Sequence, residues 1–181
     1  AVQFNEAGRQ RDAANWYRVN PHRLHLGIVG LELPEGTGFD AFTEVSQKLD
    51  LLNGQINSSY KLNGKPVSVQ TVCHPERDIL SATIASEQPM AIKLCYAYPT
   101  GAHSDDASNW NANDKHSTTL VASTDNSATL KRVIDESVYY VVLQWDGNAT
   151  LTEKEANYFV LSATRDTLSF SCEYRLETPS N

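Results

Sequence analysis

The chain has 181 residues, 40% hydrophobic and 20% charged, with a formal net charge of -7 and a pI near 5.2. Such a composition describes a globular chain, and the length points to one domain with a core of its own. The acidic balance and the lack of a basic stripe argue against a nucleic-acid partner, and no apolar run approaches the roughly 20 residues of a spanning helix.

Residues 1–19 read as a polar N-terminal arm bearing Arg9, Arg11 and Arg18, with Trp16 and Tyr17 near its end. A short helix over 4–16 suits Glu6, Ala7, Ala13 and Ala14, although Gly8 opposes it. From residue 20 to 181 the pattern is that of a single β-sandwich domain. Pro21, inside Asn20-Pro21-His22-Arg23, imposes an extended entry, and Leu24, Leu26 and Ile28 begin an alternation that runs to Leu33. A weaker alternation over 43–52 places Val45, Leu49 and Leu51 on one face.

Residues 55–86 organise the rest. Ile56, Ser58, Tyr60 and Leu62 alternate with Gln55, Asn57, Ser59 and Lys61, the period of a strand with one buried face. Asn63-Gly64 then supplies the positive φ angles of a type I′ turn. A two-residue loop sets Tyr60 opposite Val67, Ser58 opposite Val69 and Ile56 opposite Thr71. The punctuation His74-Pro75-Glu76-Arg77-Asp78 closes the second strand, and Leu80, Ala82 and Ile84 resume the alternation. The result is a three-stranded antiparallel meander.

Met90, Ile92, Leu94, Tyr96 and Tyr98 keep period two, and 99–116 form a long loop rich in Gly, Ser, Asn and Asp around Trp110. Further strands are expected at 117–122, 128–134, 138–145, 158–163 and 168–176. Residues 138–143 are apolar on both faces and so read as central, while Leu168, Phe170, Cys172, Tyr174 and Leu176 face inward. About ten short strands with little helix make an all-β, antiparallel sandwich the expected fold.

Chemistry-bearing patterns are sparse. Cys73, Cys95 and Cys172 have no metal-ligand spacing and read as small buried hydrophobes, although an oxidising compartment would allow a Cys73–Cys95 bridge. His22 and His25 fall on opposite faces of a strand, and with His74, His103 and His116 they match no zinc spacing. The oxygen donors Asp105, Asp106, Asn109, Asn111, Asn113 and Asp114 do not follow an EF-hand loop, and His116 reads as a hydrogen bonder at a loop end. No cofactor, metal or catalytic residue is expected in the chain.

What remains is a set of aromatic rings among amides and charges: Trp16 and Tyr17 beside Asn20, His22 and Arg23, and Trp110 beside His103 and Asn109. A sugar ring offers an apolar face and a hydroxyl rim, which such residues can stack on and hydrogen-bond. The same rings would equally serve to cover core edges or to pack on another domain. Trp145, at the end of the most apolar strand, belongs to the core.

The segments NWYRVNPHRLHLGIVGLEL (15–33) and QKLDLLNGQINSSYKLNGKPVSVQTVCHPERDILSATIAS (47–86) together cover about half of the chain. They resemble the N-terminal β-sandwich domain found ahead of the six-hairpin (α/α)6 catalytic domain in glycoside hydrolases such as families 65 and 95. The resemblance rests on Asn20-Pro21-His22-Arg23, on the Leu49-Asp50-Leu51 to Gly54 segment leading into Ser58, and on His74-Pro75 before Asp78.

It implies a galactose-mutarotase-like supersandwich, truncated on its N-terminal side. Such a domain packs on an (α/α)6 catalytic domain and lends loop residues to a carbohydrate cleft in a periplasmic or secreted hydrolase. The acid and base would then lie outside this chain. One alternative is a free-standing glycan-binding module or surface adhesion domain, and another is a structural interaction sandwich with an apolar patch at its strand edges.

Overall fold

The computed structural model describes residues 9–18, 25–100 and 108–178. Asn20, His22, Arg23, Leu24, His103, Asp105 and Asp106 lie outside the described residues. The chain opens with helix α1 (Arg9–Arg18), then β1 (Ile28–Glu32), a 3-10 turn (Phe39–Ala41), β2 (Phe42–Asp50), β3 (Gln55–Leu62), β4 (Lys65–Cys73) and β5 (Ile79–Ser86). It continues with β6 (Ala91–Cys95), the two-residue strands β7 (Tyr98–Pro99) and β8 (Ser108–Asn109), β9 (His116–Ser123) and β10 (Ser127–Ile134). The last strands are β11 (Ser137–Trp145), β12 (Ala149–Glu155), β13 (Tyr158–Ala163) and β14 (Thr167–Arg175).

These strands form the expected antiparallel sandwich. An eight-stranded sheet in the order β2-β3-β4-β5-β14-β11-β10-β9 faces a four-stranded sheet in the order β1-β6-β13-β12, and β7 pairs with β8 apart from both. Inward side chains from the two sheets meet in one core, with Leu130, Val141, Leu143, Leu168 and Cys172 on the larger sheet and Ile92, Leu94, Phe159 and Leu161 on the smaller. Removing each large apolar side chain from water is worth about 1.5–3 kcal/mol, which is why the period-two pattern dictates which face turns in.

The meander has the expected register. Tyr60 lies opposite Val67, Ser58 opposite Val69 and Ile56 opposite Thr71. The turn between them has φ of 52° at Asn63 and 80° at Gly64, the left-handed pair that a type I′ turn requires. Strand β11 lies between β14 and β10, as its two apolar faces require.

The structure corrects several expectations. Cys73 is exposed although it falls in phase with Val67, because it is the last residue of β4; Cys95 and Cys172 are buried, and all three are free thiols. Burial pushes the Cys172 thiol up to about 12. Leu176 lies past the end of β14 and is exposed rather than inward. β1 begins only at Ile28, so Leu26 and Ile28 are partly exposed, and the left-handed φ of 111° at Gly27 breaks the alternation between them. The helix in the arm sits at Arg9–Arg18, beyond Gly8, which is the residue that opposed an earlier start.

β12 was not anticipated: its sequence ATLTEKE is polar because it is the edge strand of the smaller sheet. At the other extreme β2 lies beyond the cover of the smaller sheet. Leu49, opposite Ile56, is half exposed, Val45 is more so, and the turn residues Leu51 and Leu52 are almost fully exposed. An irregular register at Thr43/Ser46, with Glu44 at φ 53°, further turns this edge away from regular pairing.

The outer face of the larger sheet carries short polar side chains in cross-strand rows. Ser46, Ser59 and Ser68 run towards Ala85; Lys48, Asn57 and Gln70 run towards Thr83; and Ser81, Ser171 and Gln144 continue across β5, β14 and β11. Three shallow depressions follow one another along this face.

At Gly64 an added Cβ would meet nothing within 4 Å, so Gly64→Ala tests the backbone term alone. Left-handed φ costs a non-glycine residue about 1–2 kcal/mol. Urea unfolding of the variant is expected to show a loss of that size with an unchanged m value.

Candidate functional site

One end of the sandwich gathers polar and aromatic groups from six separate segments, arranged from the surface inwards. On the surface Trp110, 39% exposed, meets the His25 ring edge to face at a centroid distance of 5.4 Å and an interplanar angle of 84°. His25 is itself oriented, since its Nδ1 accepts the Gly27 N–H at 3.2 Å. Neighbouring Asn109 is exposed, and its Oδ1 accepts the Asn111 N–H at 2.9 Å in an Asx turn that starts the loop after β8.

The β7–β8 pairing sets Tyr98 opposite Asn109 and so anchors this loop to the sandwich. The Tyr98 hydroxyl donates to both carboxylate oxygens of Asp135, at 3.0 and 3.1 Å, and Lys115 Nζ lies 5.5 Å from the ring centroid. The bond to Asp135 is the chief reason the Tyr98 phenol is harder to ionise than usual. Asp135 itself turns the β10–β11 hairpin at φ 50°.

Beneath lies the guanidinium of Arg132, 0% exposed. It sits at an inward position of β10, directly opposite Tyr139 of β11 on one side and Thr118 of β9 on the other. Its Nη1 donates to Thr118 Oγ1 at 2.7 Å, His116 Nδ1 at 2.9 Å, Asn157 Oδ1 at 3.2 Å and the Ser117 carbonyl at 3.3 Å. Its Nε donates to the Tyr139 hydroxyl at 3.4 Å. The Tyr96 ring lies against it, with Cζ 4.6 Å from the centroid, an arrangement in which the ring quadrupole attracts the cation.

Local backbone choices bring these partners in. Asn157 occupies the tight β12–β13 turn at φ 63°, a conformation Asn tolerates, and is buried. Its Oδ1 accepts from Thr118 Oγ1 at 2.8 Å and its Nδ2 donates to Asn113 Oδ1 at 3.3 Å, tying the hairpin to the long loop. Tyr96 is held by its own N–H, which donates to the Asn157 carbonyl at 3.1 Å. On its other side the Tyr96 ring packs on Gly27, where an added Cβ would stand 2.6 Å from Tyr96 Cδ1. A continuous path of contacts therefore runs from His25 through Gly27 and Tyr96 to Arg132.

Of the residues selected from sequence, the structure places Trp110 and Asn109 at this end and adds His25, which was not selected. Trp16 and Tyr17 are largely exposed on α1 and contact each other edge-on at 5.0 Å. His116 starts β9, buried in the Arg132 network, so the expected loop-end hydrogen bonder is found one layer deeper. Arg132 was not selected, although Ala128, Leu130, Arg132 and Ile134 share one phase of the alternation and could have marked it as inward.

Carboxylates with perturbed ionisation are engaged elsewhere. Burial alone would raise Glu32, yet Lys154 at 2.7 Å and the Tyr158 hydroxyl at 2.5 Å bring it below the usual carboxylate range. Arg175 and then Arg77 hold Glu173 low against its burial, at 2.7 and 2.6 Å. Asp50 is held low by Asn53 and the turn amides of Asn53 and Leu52.

No family model matches the chain. No curated protein matches it either. Among solved structures, one described as a candidate kojibiose phosphorylase from human microbiome aligns with 81% of this chain at 13% identity and a TM-score of 0.44. The chain spans about a fifth, 21%, of that protein's length.

Burial, and then the neighbouring Arg132 charge, lower the His116 pKa below its ordinary 6.5, with Asp114 opposing. The unfolded chain therefore takes up the proton first as pH falls. The contribution of neutral His116 to stability is complete above about pH 6.5 and diminishes as pH drops through the lower native value. An NMR titration of the imidazole is expected to show a midpoint below 6.5.

Proposed function

We propose that these residues form a non-catalytic β-sandwich domain of a carbohydrate-active glycoside hydrolase, packed on an (α/α)6 catalytic domain. In this reading its Trp110 end faces the glycan cleft of an extracytoplasmic enzyme. The observation that carries the reading is the edge-on contact of His25 with Trp110. It draws His25, at the start of the sandwich, and Trp110, in the long loop, to one end of the fold. The imidazole steadies the indole while leaving it partly open, and the exposed Asn109 is its neighbour in the chain. That combination suits a sugar ring, whose C–H face stacks on an indole and whose hydroxyls pair with amides.

Two further features support the reading. The uncovered apolar residues Val45, Leu49, Leu51 and Leu52 along the β2 edge suit packing against a neighbouring domain rather than water. The carboxylates with lowered pKa values are committed to ion pairs or turns, roles that hold structure together.

A second reading, a free-standing glycan-binding module, is favoured by the outer face of the larger sheet. Its rows of Ser, Thr, Asn and Gln line three successive depressions that would accept an uncharged polyhydroxylated chain.

The coding sequence adjoining these residues is expected to encode a helical-hairpin domain. In that longer protein Trp110→Ala is expected to lower kcat/KM by roughly 2- to 10-fold, the equivalent of one aromatic stack of about 0.5–1.5 kcal/mol. An unchanged kcat/KM, or an adjoining sequence with no such domain, would count against the accessory role. Calorimetric titration of the 181-residue chain with neutral oligosaccharides, giving specific binding by itself, would favour the module instead.

A further inference from the structure

The Arg132 cluster has a property that the proposed function does not use. Three polar atoms around it are buried without a hydrogen-bond partner: Arg132 Nη2, His116 Nε2 and the Tyr96 hydroxyl. The parent residues are 0%, 7% and 3% exposed. Tautomer logic sharpens the point. A guanidinium has no acceptor, so His116 Nδ1 must offer its lone pair to Arg132 Nη1, and the proton of the neutral ring is then on Nε2. Nη2 carries two further N–H groups. The cluster therefore displays an excess of donors around a full positive charge.

The charge itself lacks a counterion among the described residues. Their ion pairs join Lys61 to Glu44, Arg77 and Arg175 to Glu173, and Lys154 to Glu32, none of which involves Arg132. All five of its hydrogen bonds go to neutral acceptors. A buried unpaired cation is among the most costly arrangements in a protein interior, and an orphaned donor adds to it. The Tyr96 ring offsets part of the charge but can satisfy none of the N–H groups on Nη2.

We propose that this end of the sandwich holds one small inorganic anion of halide size, with Arg132 Nη2 and His116 Nε2 as its donors. A monatomic anion needs little room, accepts from several directions and neutralises the guanidinium. A water molecule would accept from the same donors yet leave the charge uncompensated. A polyatomic anion such as phosphate needs more room and more donors than these buried atoms supply, and the Tyr96 N–H bond to the Asn157 carbonyl holds the surrounding backbone in place. The anion would complete the layer beneath Tyr98 and Trp110 and so set the stiffness of that end, whatever the surface above it binds.

The test uses the unmodified chain. Its Tm is compared in sodium chloride and in sodium gluconate of equal ionic strength, since gluconate is too large for the cluster. Chloride above its Kd is expected to raise Tm by about 3–5 °C for each tenfold increase, while gluconate leaves it flat. Crystals grown in sodium bromide are expected to show an anomalous peak within hydrogen-bond reach of Arg132 Nη2. Arg132→Met, which keeps the apolar stem and removes the charge, should abolish the chloride response. If that variant fails to fold, the bromide peak in the unmodified protein decides. A Tm indifferent to chloride, or bromide found only on the surface, overturns the proposal.

Discussion

Everything in this molecule rests on the closing of a four-stranded sheet over part of an eight-stranded one. The side chains that meet between them, Leu94, Phe159 and Leu161 from one layer and Leu130, Val141 and Leu143 from the other, are fully buried. Burial on that scale is the dominant favourable term and outweighs the ordering of the strands that supply it. Because the layers are unequal, the closure cannot be complete. The core is dense under β5, β14, β11 and β10, and it thins towards β2, where Leu49 and Val45 meet solvent.

That asymmetry separates the surface into regions of different chemistry. The β2 edge is apolar, the outer face of the larger sheet is lined by hydroxyls and amides, and the end bearing Trp110 mixes aromatic and charged groups over a buried cation. The three lie on one rigid framework, so contacts made at one would be held in fixed relation to the others.

The end bearing Trp110 is also where the polypeptide departs most from simple alternation. Left-handed residues, Gly27, Asp135 and Asn157, supply its turns, and each places a side chain or permits an approach that an ordinary strand residue would not. Gly27 admits the Tyr96 ring, Asp135 receives the Tyr98 hydroxyl, and Asn157 directs its amide into the interior. Local conformational cost at these positions is balanced by hydrogen bonds made in a low-dielectric setting, where they are strongest.

Taken alone, the amino-acid order determined the strands, the all-β class and the register of the meander. These depend on period-two burial and on one Asn-Gly turn, both local properties of the chain. It also singled out Trp110 and Asn109 as an aromatic ring set among amides, and the structure places Trp110 against His25 and Asn109 opposite Tyr98. It did not disclose β12, since only Ala149 and Leu151 mark the inward face of this edge strand, nor the exposure of Cys73 and Leu176, since burial at strand ends depends on what lies opposite. The Arg132 network was decided only by tertiary structure. His116, Thr118, Arg132, Tyr139 and Asn157 come from three strands and a turn, and only cross-strand pairing and the packing of one sheet on the other place their polar atoms within bonding distance.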